Sequence, residues 1–188
     1  MIDSAENCVV CERHMFHDVH MSTGQYMHTV GHHLQVTAVA ATANEKDAYA
    51  RSAYNRYYYG AFLNARDMLS SLDPAWSSLA HASYPRLLKG QIRKEISRKK
   101  NIARRNGDIE LVGRTEKATR AVDELAKILN TAYSIRVVAD YEPNEAVTFG
   151  PDLRFALRSV DISEAHEWES QTRILCNNVK AVWDEIHG

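Results

Sequence analysis

The sequence predicts an all-α protein, an antiparallel bundle of four long helices with one shorter basic helix. Three observations support that prediction. Apolar residues recur at steps of three and four through several long segments, the spacing that places side chains on one face of an α-helix. Each stripe lasts several turns, so the helices are amphipathic and must pack on one another. With 45% hydrophobic residues and only 8 Gly and 4 Pro in 188 positions, the chain has apolar surface for one core and few interruptions.

The elements follow in order. A first helix covers about residues 24 to 42, where Met27, Val30, Leu34, Thr37 and Ala41 share a face. A second contains "AYNRYYYGAFLNARDML" at 53 to 69, with Tyr54, Tyr58, Ala61, Ala65, Met68 and Leu72 in its stripe. Asn44 or Asp47 is placed to cap it, and Pro74 ends it, because proline lacks an N–H and disfavours helix at the residue before it. The basic helix lies within 86 to 105, and "RRNGD" at 104 to 108 reads as a turn. Ala121, Leu125, Ile128, Ala132, Ile135 and Ala139 mark the third long helix. The stretch 140 to 152 holds two prolines and a glycine, and separates that helix from the last. Ser163, followed by Glu164, Glu167 and Glu169, starts a final helix striped by Ala165, Trp168, Thr172, Leu175, Val179, Val182 and Ile186.

Charge is unevenly spread. Residues 86 to 105 contain Arg86, Lys89, Arg93, Lys94, Arg98, Lys99, Lys100, Arg104 and Arg105 against the single acid Glu95, a local charge of +8 in a chain of net −1. Cations at this density attract polyanions, with RNA or DNA phosphate the commonest in a cytoplasm. The alternative is a solvated helix face. No run of about 18 apolar residues is present to span a bilayer. The N-terminus lacks the basic-then-apolar order of a secretory signal. Three cysteines are too few for a disulfide framework. The expectation is a soluble, cytoplasmic protein without a membrane partner.

Residues 1–23 form a separate Cys/His-rich segment before a bundle at 24–188. Within it Cys8, Cys11, His14 and His17 recur every three residues, with His20 beyond. Thiolate and imidazole are zinc's preferred ligands, and C-x2-C is a usual half-site, although the second half follows with an unusually short loop. The open readings are a structural zinc site, a histidine-rich helix or tail without metal, and a nuclease role for Arg13 with His20. Otherwise no cofactor is expected. The chain also has no Gly-rich phosphate loop of the conventional nucleotidase or kinase kind.

Four motifs occur in a fixed order: "NRYYYGAFLNARDML", "LAHASYPRLL" at 79 to 88, "AYSIRVVADYEP" at 132 to 143 and "DISEAHEWESQTRIL" at 161 to 175. This succession resembles the HEPN superfamily (higher eukaryotes and prokaryotes nucleotide-binding), over roughly residues 45 to 186. Arg56, Tyr58, Tyr59, Gly60 and Phe62 look like the family's Arg, paired tyrosines, small residue and Phe. His81 looks like the His that often opens its next segment, and Arg136, Ala139, Asp140, Tyr141 and Pro143 look like its "R, two residues, ADY, x, P" ending.

The resemblance implies a small helical bundle, often a homodimer. Many such domains are metal-independent endoribonucleases of toxin–antitoxin or antiviral defence systems. Others are non-catalytic subunits that hold nucleic acid or a partner protein, such as a nucleotidyltransferase-type antitoxin. The family's composite site uses an Arg and a His separated by four to six intervening residues. That spacing occurs here only at Arg13 and His20, outside the region of resemblance, and Arg158 and His166 are one residue too far apart.

The catalytic candidates are therefore Arg56, His81, Arg136 and Asp140, since metal-free RNA cleavage needs an acid or base titrating near neutrality and a cation facing the phosphate. The alternative is a buried Arg56–Asp140 salt bridge that fixes helix register. Tyr57, Tyr58 and Tyr59 offer more polar aromatic surface than one core requires. With Gly60 admitting a second backbone, they suggest a dimer seam or base-stacking surface, the alternative being core tyrosines. A zinc-dependent small helical enzyme is a third functional reading.

Overall fold

The computed structural model describes residues 21–150 and 154–188. The Cys8, Cys11, His14 and His17 zinc reading and the Arg13–His20 pair lie outside these residues. The chain runs α1 (Thr23–Ala40), α2 (Ala43–Leu72), two 3-10 turns (Pro74–Trp76 and His81–Ser83), α3 (Tyr84–Leu87), a π turn (Leu88–Ile92), α4 (Arg93–Arg105) and α5 (Ile109–Tyr141). Three short strands, β1 (Val147–Phe149), β2 (Phe155–Leu157) and β3 (Val160–Asp161), precede α6 (Ile162–His187). The all-α expectation holds, with α1, α2, α5 and α6 long and α4 the shorter basic helix. Among the described residues no helix is long and apolar enough to cross a membrane.

Helix α1 opens with a capping box. Ser22 accepts from the Gln25 N–H at 3.2 Å and donates its own N–H to the Gln25 side chain at 2.7 Å. Its seat on α2 differs from the expected stripe. The buried residues are Gly24, Gly31 and Ala38, whereas Val30 is 44% exposed. Small residues win because the backbones cross closely: a Cβ on Gly24 would lie 2.7 Å from the Gly60 carbonyl oxygen. Gly60 thus admits a second backbone, and that backbone belongs to α1 of the same chain.

Neither Asn44 nor Asp47 caps α2. The N-cap is Thr42, and Asp47, a turn inside, pairs with Arg51 at 2.5 Å and accepts the Val147 N–H at 3.2 Å. Helical rotation of about 100° per residue then sends the tyrosines to different neighbours. Tyr54 donates to the Val160 carbonyl at 2.8 Å and accepts the Leu157 N–H at 3.2 Å, fastening the sheet to the bundle. Tyr57 donates to Gln35 of α1 at 2.5 Å. Tyr58 meets His81 in the 3-10 turn at 2.7 Å. All three are at most 1% exposed. The dimer or stacking surface expected of Tyr57 and Tyr58 is therefore corrected: they are hydroxyl-satisfied core residues, and Tyr59 alone of the set is half-buried.

The strands form an antiparallel sheet of order β1-β2-β3, with Val147 opposite Leu157 and Leu157 opposite Val160. Arg158, in the β2–β3 turn, takes the left-handed conformation at φ 53°. Two or three residues per strand are too few for alternation to stand out, so the sequence read this stretch only as a separator. Arg51 ties the α5–β1 connection down. Its guanidinium donates to the carbonyls of Val138 (3.2 Å), Ala139 (3.4 Å), Glu142 (3.3 Å) and Glu145, satisfying the carbonyl end of α5.

Between α3 and α4 the π turn absorbs one extra residue. Leu88 and Ile96, eight apart, thereby share the buried face that residues seven apart share in a regular helix, and Ile92 between them is buried too. Asn106 and Gly107 turn the chain into α5, Gly107 at φ 72°. The predicted α5 stripe is buried throughout. In α6 the stripe holds except that Cys176 is buried where Leu175 was expected, and Asp161 rather than Ser163 is the N-cap, accepting the Ser163 N–H at 2.8 Å. Burial pushes the Cys176 thiol up to about 12.

Candidate functional site

His81 is fixed by two neighbours from α2. Its Nδ1 lies 2.7 Å from the Tyr58 hydroxyl, and its ring stacks on Phe62 with centroids 3.9 Å apart and planes 28° apart. Partial burial lowers its pKa from the ordinary 6.5, and the charges of Arg136 and Arg66 lower it further. The imidazole is neutral at pH 7, with Nε2 making no hydrogen bond among the described residues. Such a group accepts a proton, and Arg136 nearby supplies positive charge.

Arg136 itself is engaged. Its Nε lies 2.9 Å from Asp140 Oδ2, one turn along α5, but the contact is misaligned and Nε makes no hydrogen bond. The distance counts as an ion pair and not as a directed bond. The guanidinium also sits 5.5 Å over the Tyr141 ring. Asn55 donates to Asp140 at 2.5 Å, while Asn55 Oδ1 has no partner among the described residues.

The Arg56–Asp140 bridge is not formed, because Arg136 and Asn55 already occupy that carboxylate. Arg56 instead lies 5.5 Å over the Tyr59 ring and approaches Met27 of α1 at 3.9 Å. Of the four catalytic candidates, the structure gathers His81, Arg136 and Asp140, and directs Arg56 toward α1. Arg158 and His166 have separate partners. Arg158 pairs with Glu142 and Glu145, whereas His166 packs against His28 and His32.

The basic segment divides into spent and free cations. Arg93 pairs with Asp123 at 3.0 Å, Arg98 with Glu95 at 2.6 Å, and Lys100 and Arg104 approach Glu116 at 4.0 and 3.7 Å. Lys99 donates to the Ile186 carbonyl at 2.7 Å, capping the end of α6. Arg86, Lys89, Lys94 and Arg105 are exposed and have no acidic partner within 4 Å among the described residues. Beside the first two runs a groove of about 530 Å³, walled by Ala82, Pro85, Arg86, Lys89, Asn130 and Tyr133. Tyr133 packs 6.1 Å from Tyr58, and Ala82 adjoins His81, so the groove opens beside the histidine. Asn130 and Tyr133 were not singled out in the sequence; the signal was their place on α5 opposite the first free cations.

A second polar cluster joins α1 to α6. The His28 and His166 rings are 4.5 Å apart, His32 and His166 5.5 Å, and Tyr57 lies 5.4 Å from both His28 and His166. His28 Nε2 is 3.1 Å from the His166 carbonyl oxygen. Burial lowers the His28 pKa, with His166 and His32 adding to the shift and Glu169 and the carbonyl contact opposing it. Among the described residues no three His, Cys, Asp or Glu side chains are arranged to hold a metal ion.

No protein-family model, curated protein or solved structure matches the chain.

Proposed function

We propose that the chain is a HEPN-like protein directed at RNA, with the rod from α3 to α4 making the phosphate contacts. The observation that carries this reading is the set of exposed cations, Arg86, Lys89, Lys94 and Arg105, left without acids among the described residues on a rod whose other cations are mostly neutralised within the chain. Unpaired cations at this density draw in a polyanion.

The geometry favours holding RNA over cutting it. Arg136 is tied to Asp140, Arg56 meets α1, and Tyr58 takes one nitrogen of His81. A binding or scaffold subunit, working as a homodimer or beside a partner protein such as an antitoxin, fits that arrangement. Gel-shift titrations of the purified chain with single-stranded RNA across salt concentrations test it. Log affinity is expected to fall linearly with log salt, and Lys94→Gln with Arg105→Gln is expected to flatten the slope by about 0.7 per lost contact. No RNA binding at low salt refutes the proposal.

One observation favours a second reading, metal-independent cleavage of the toxin or defence type. A neutral imidazole whose Nε2 makes no hydrogen bond among the described residues lies close enough to Arg136 for that charge to lower its pKa, next in the chain to Ala82 of the groove wall. Chelator-treated protein is incubated with a set of transfer RNAs and hairpins. Cleavage by the wild type that is lost in His81→Ala supports this reading, and intact RNA refutes it.

A further inference from the structure

We infer that the groove beside Arg86 is the seat of a single unpaired nucleotide, its phosphate held by Arg86 and Lys89 and its base stacked on Tyr133. The inference rests on the RNA reading above and deepens it. Its basis is a regular row on α5. Glu116, Asp123 and Asn130 are spaced seven apart, so they lie on one face of that helix, which lines the inner side of the basic rod. At the first position an acid meets Lys100 and Arg104, and at the second an acid meets Arg93. At the third the row places an amide, and Arg86 and Lys89 opposite it have no acidic partner among the described residues.

The break in the row coincides with three local features. The groove opens there, and its volume of about 530 Å³ falls within the roughly 300 to 1,000 Å³ of small-ligand sites. A half-buried tyrosine stands in its wall, held by its packing on Tyr58. The π turn carries Lys89 and Gly90, and a Cβ on Gly90 would meet nothing within 4 Å. Two cations, one amide and one aromatic face are the groups that bind a phosphate, a base edge and a base plane. A duplex keeps its base faces stacked internally, so a tyrosine platform selects an unpaired nucleotide.

The sharpest test is Asn130→Asp, which extends the acidic row to its third position at an exposed site and leaves the core untouched. Fluorescence anisotropy is read with a labelled single-stranded hexanucleotide, the same sequence as an RNA duplex, and free adenosine monophosphate. The wild type is expected to prefer the single strand to the duplex by at least about tenfold. Asn130→Asp and Arg86→Gln with Lys89→Gln are expected to weaken single-strand binding by about tenfold or more. Tyr133→Leu is expected to do the same while Tyr133→Phe binds like the wild type, since stacking needs the ring and not the hydroxyl.

Single-strand binding unchanged by Asn130→Asp, or equal affinity for duplex, overturns the groove assignment and leaves the RNA reading standing. Adenosine monophosphate bound in an Asn130→Asp-sensitive way, with no strand bound, keeps the nucleotide pocket and removes the RNA reading. Failure of all three probes to bind removes both.

Discussion

Replacing Arg51 by Met tests what holds the α5 end and the sheet against the bundle. The Arg51 side chain is only 11% exposed, and its guanidinium spans four carbonyls and the Asp47 carboxylate. The three contacts from Nη1 are long, at 3.2 to 3.4 Å, and two protons must serve them, so together they act as about one good charged hydrogen bond. The Glu145 carbonyl receives a second. The Asp47 carboxylate is 49% exposed, so solvent screening discounts that pair. Hydrogen bonds to a charged group contribute about 1.5–3 kcal/mol each, and water recovers part of the loss at the helix end. The expected destabilisation is about 3 kcal/mol, and methionine keeps most of the packing of the stem. In a chain of this length that lowers Tm by roughly 6–12 °C.

Urea and thermal denaturation followed by circular dichroism measure it. Arg66→Met is the control, because Arg66 is 38% exposed and among the described residues pairs only with adjacent Asp67, and its effect is expected within about 0.5 kcal/mol. Arg51→Lys, lacking the planar fork, is expected to recover less than half of the loss. A loss at Arg51→Met no larger than at Arg66→Met would refute the clamp.

Tyr54→Phe removes the hydroxyl that bonds the Val160 carbonyl and the Leu157 N–H, which still face each other across the β2–β3 ladder; a loss of about 1 kcal/mol is expected in urea titrations. Gly31→Val and Gly113→Ala are expected to have opposite signs. A Cβ at Gly31 meets the Tyr57 ring at 2.8 Å and the variant loses about 2 kcal/mol, whereas Gly113 has open space inside α5 and alanine gains about 0.5–1 kcal/mol in the same melts. For pH, burial lowers the His28 and His81 pKa values below the ordinary 6.5 of the unfolded chain. The unfolded state therefore binds protons first, so the stability these groups contribute is complete above about pH 6.5 and is lost as pH falls through their folded values. Denaturation midpoints from pH 8 to 5 are expected to fall in acid, and to fall less in His28→Gln with His81→Gln.

The long stripes on α5 and α6 were legible because their apolar residues face a core over five or more turns, where period dominates local chemistry. Helix α1 was found in the right place with its buried face turned: Leu34 of the expected stripe packs against the core, while Val30 is exposed. Its contact is backbone on backbone, so glycines and an alanine mark the buried side and hydropathy points elsewhere. The tyrosines misled for a related reason: each hydroxyl is satisfied by a partner distant in sequence, Val160, Gln35 or His81, which no local pattern reveals. The density of charge from 86 to 105 was plain, but which cations remain free depends on Glu116, Asp123 and Asn130 across the interface. Likewise His81 and Arg136 stand out as residue types in the sequence, while their engagement by Tyr58 and Asp140 is tertiary.

The π turn at Leu88–Ile92 has the character of a one-residue insertion tolerated by the core. Deleting Gly90 would leave seven residues from Leu88 to Ile96, the spacing a regular helix needs to keep both on the same side. The shortened rod retains its buried row and its ion pairs with α5, yet moves Arg86 and Lys89 relative to Asn130. Chain length at this joint is thus an adjustable gauge for the groove, set independently of the core beneath it.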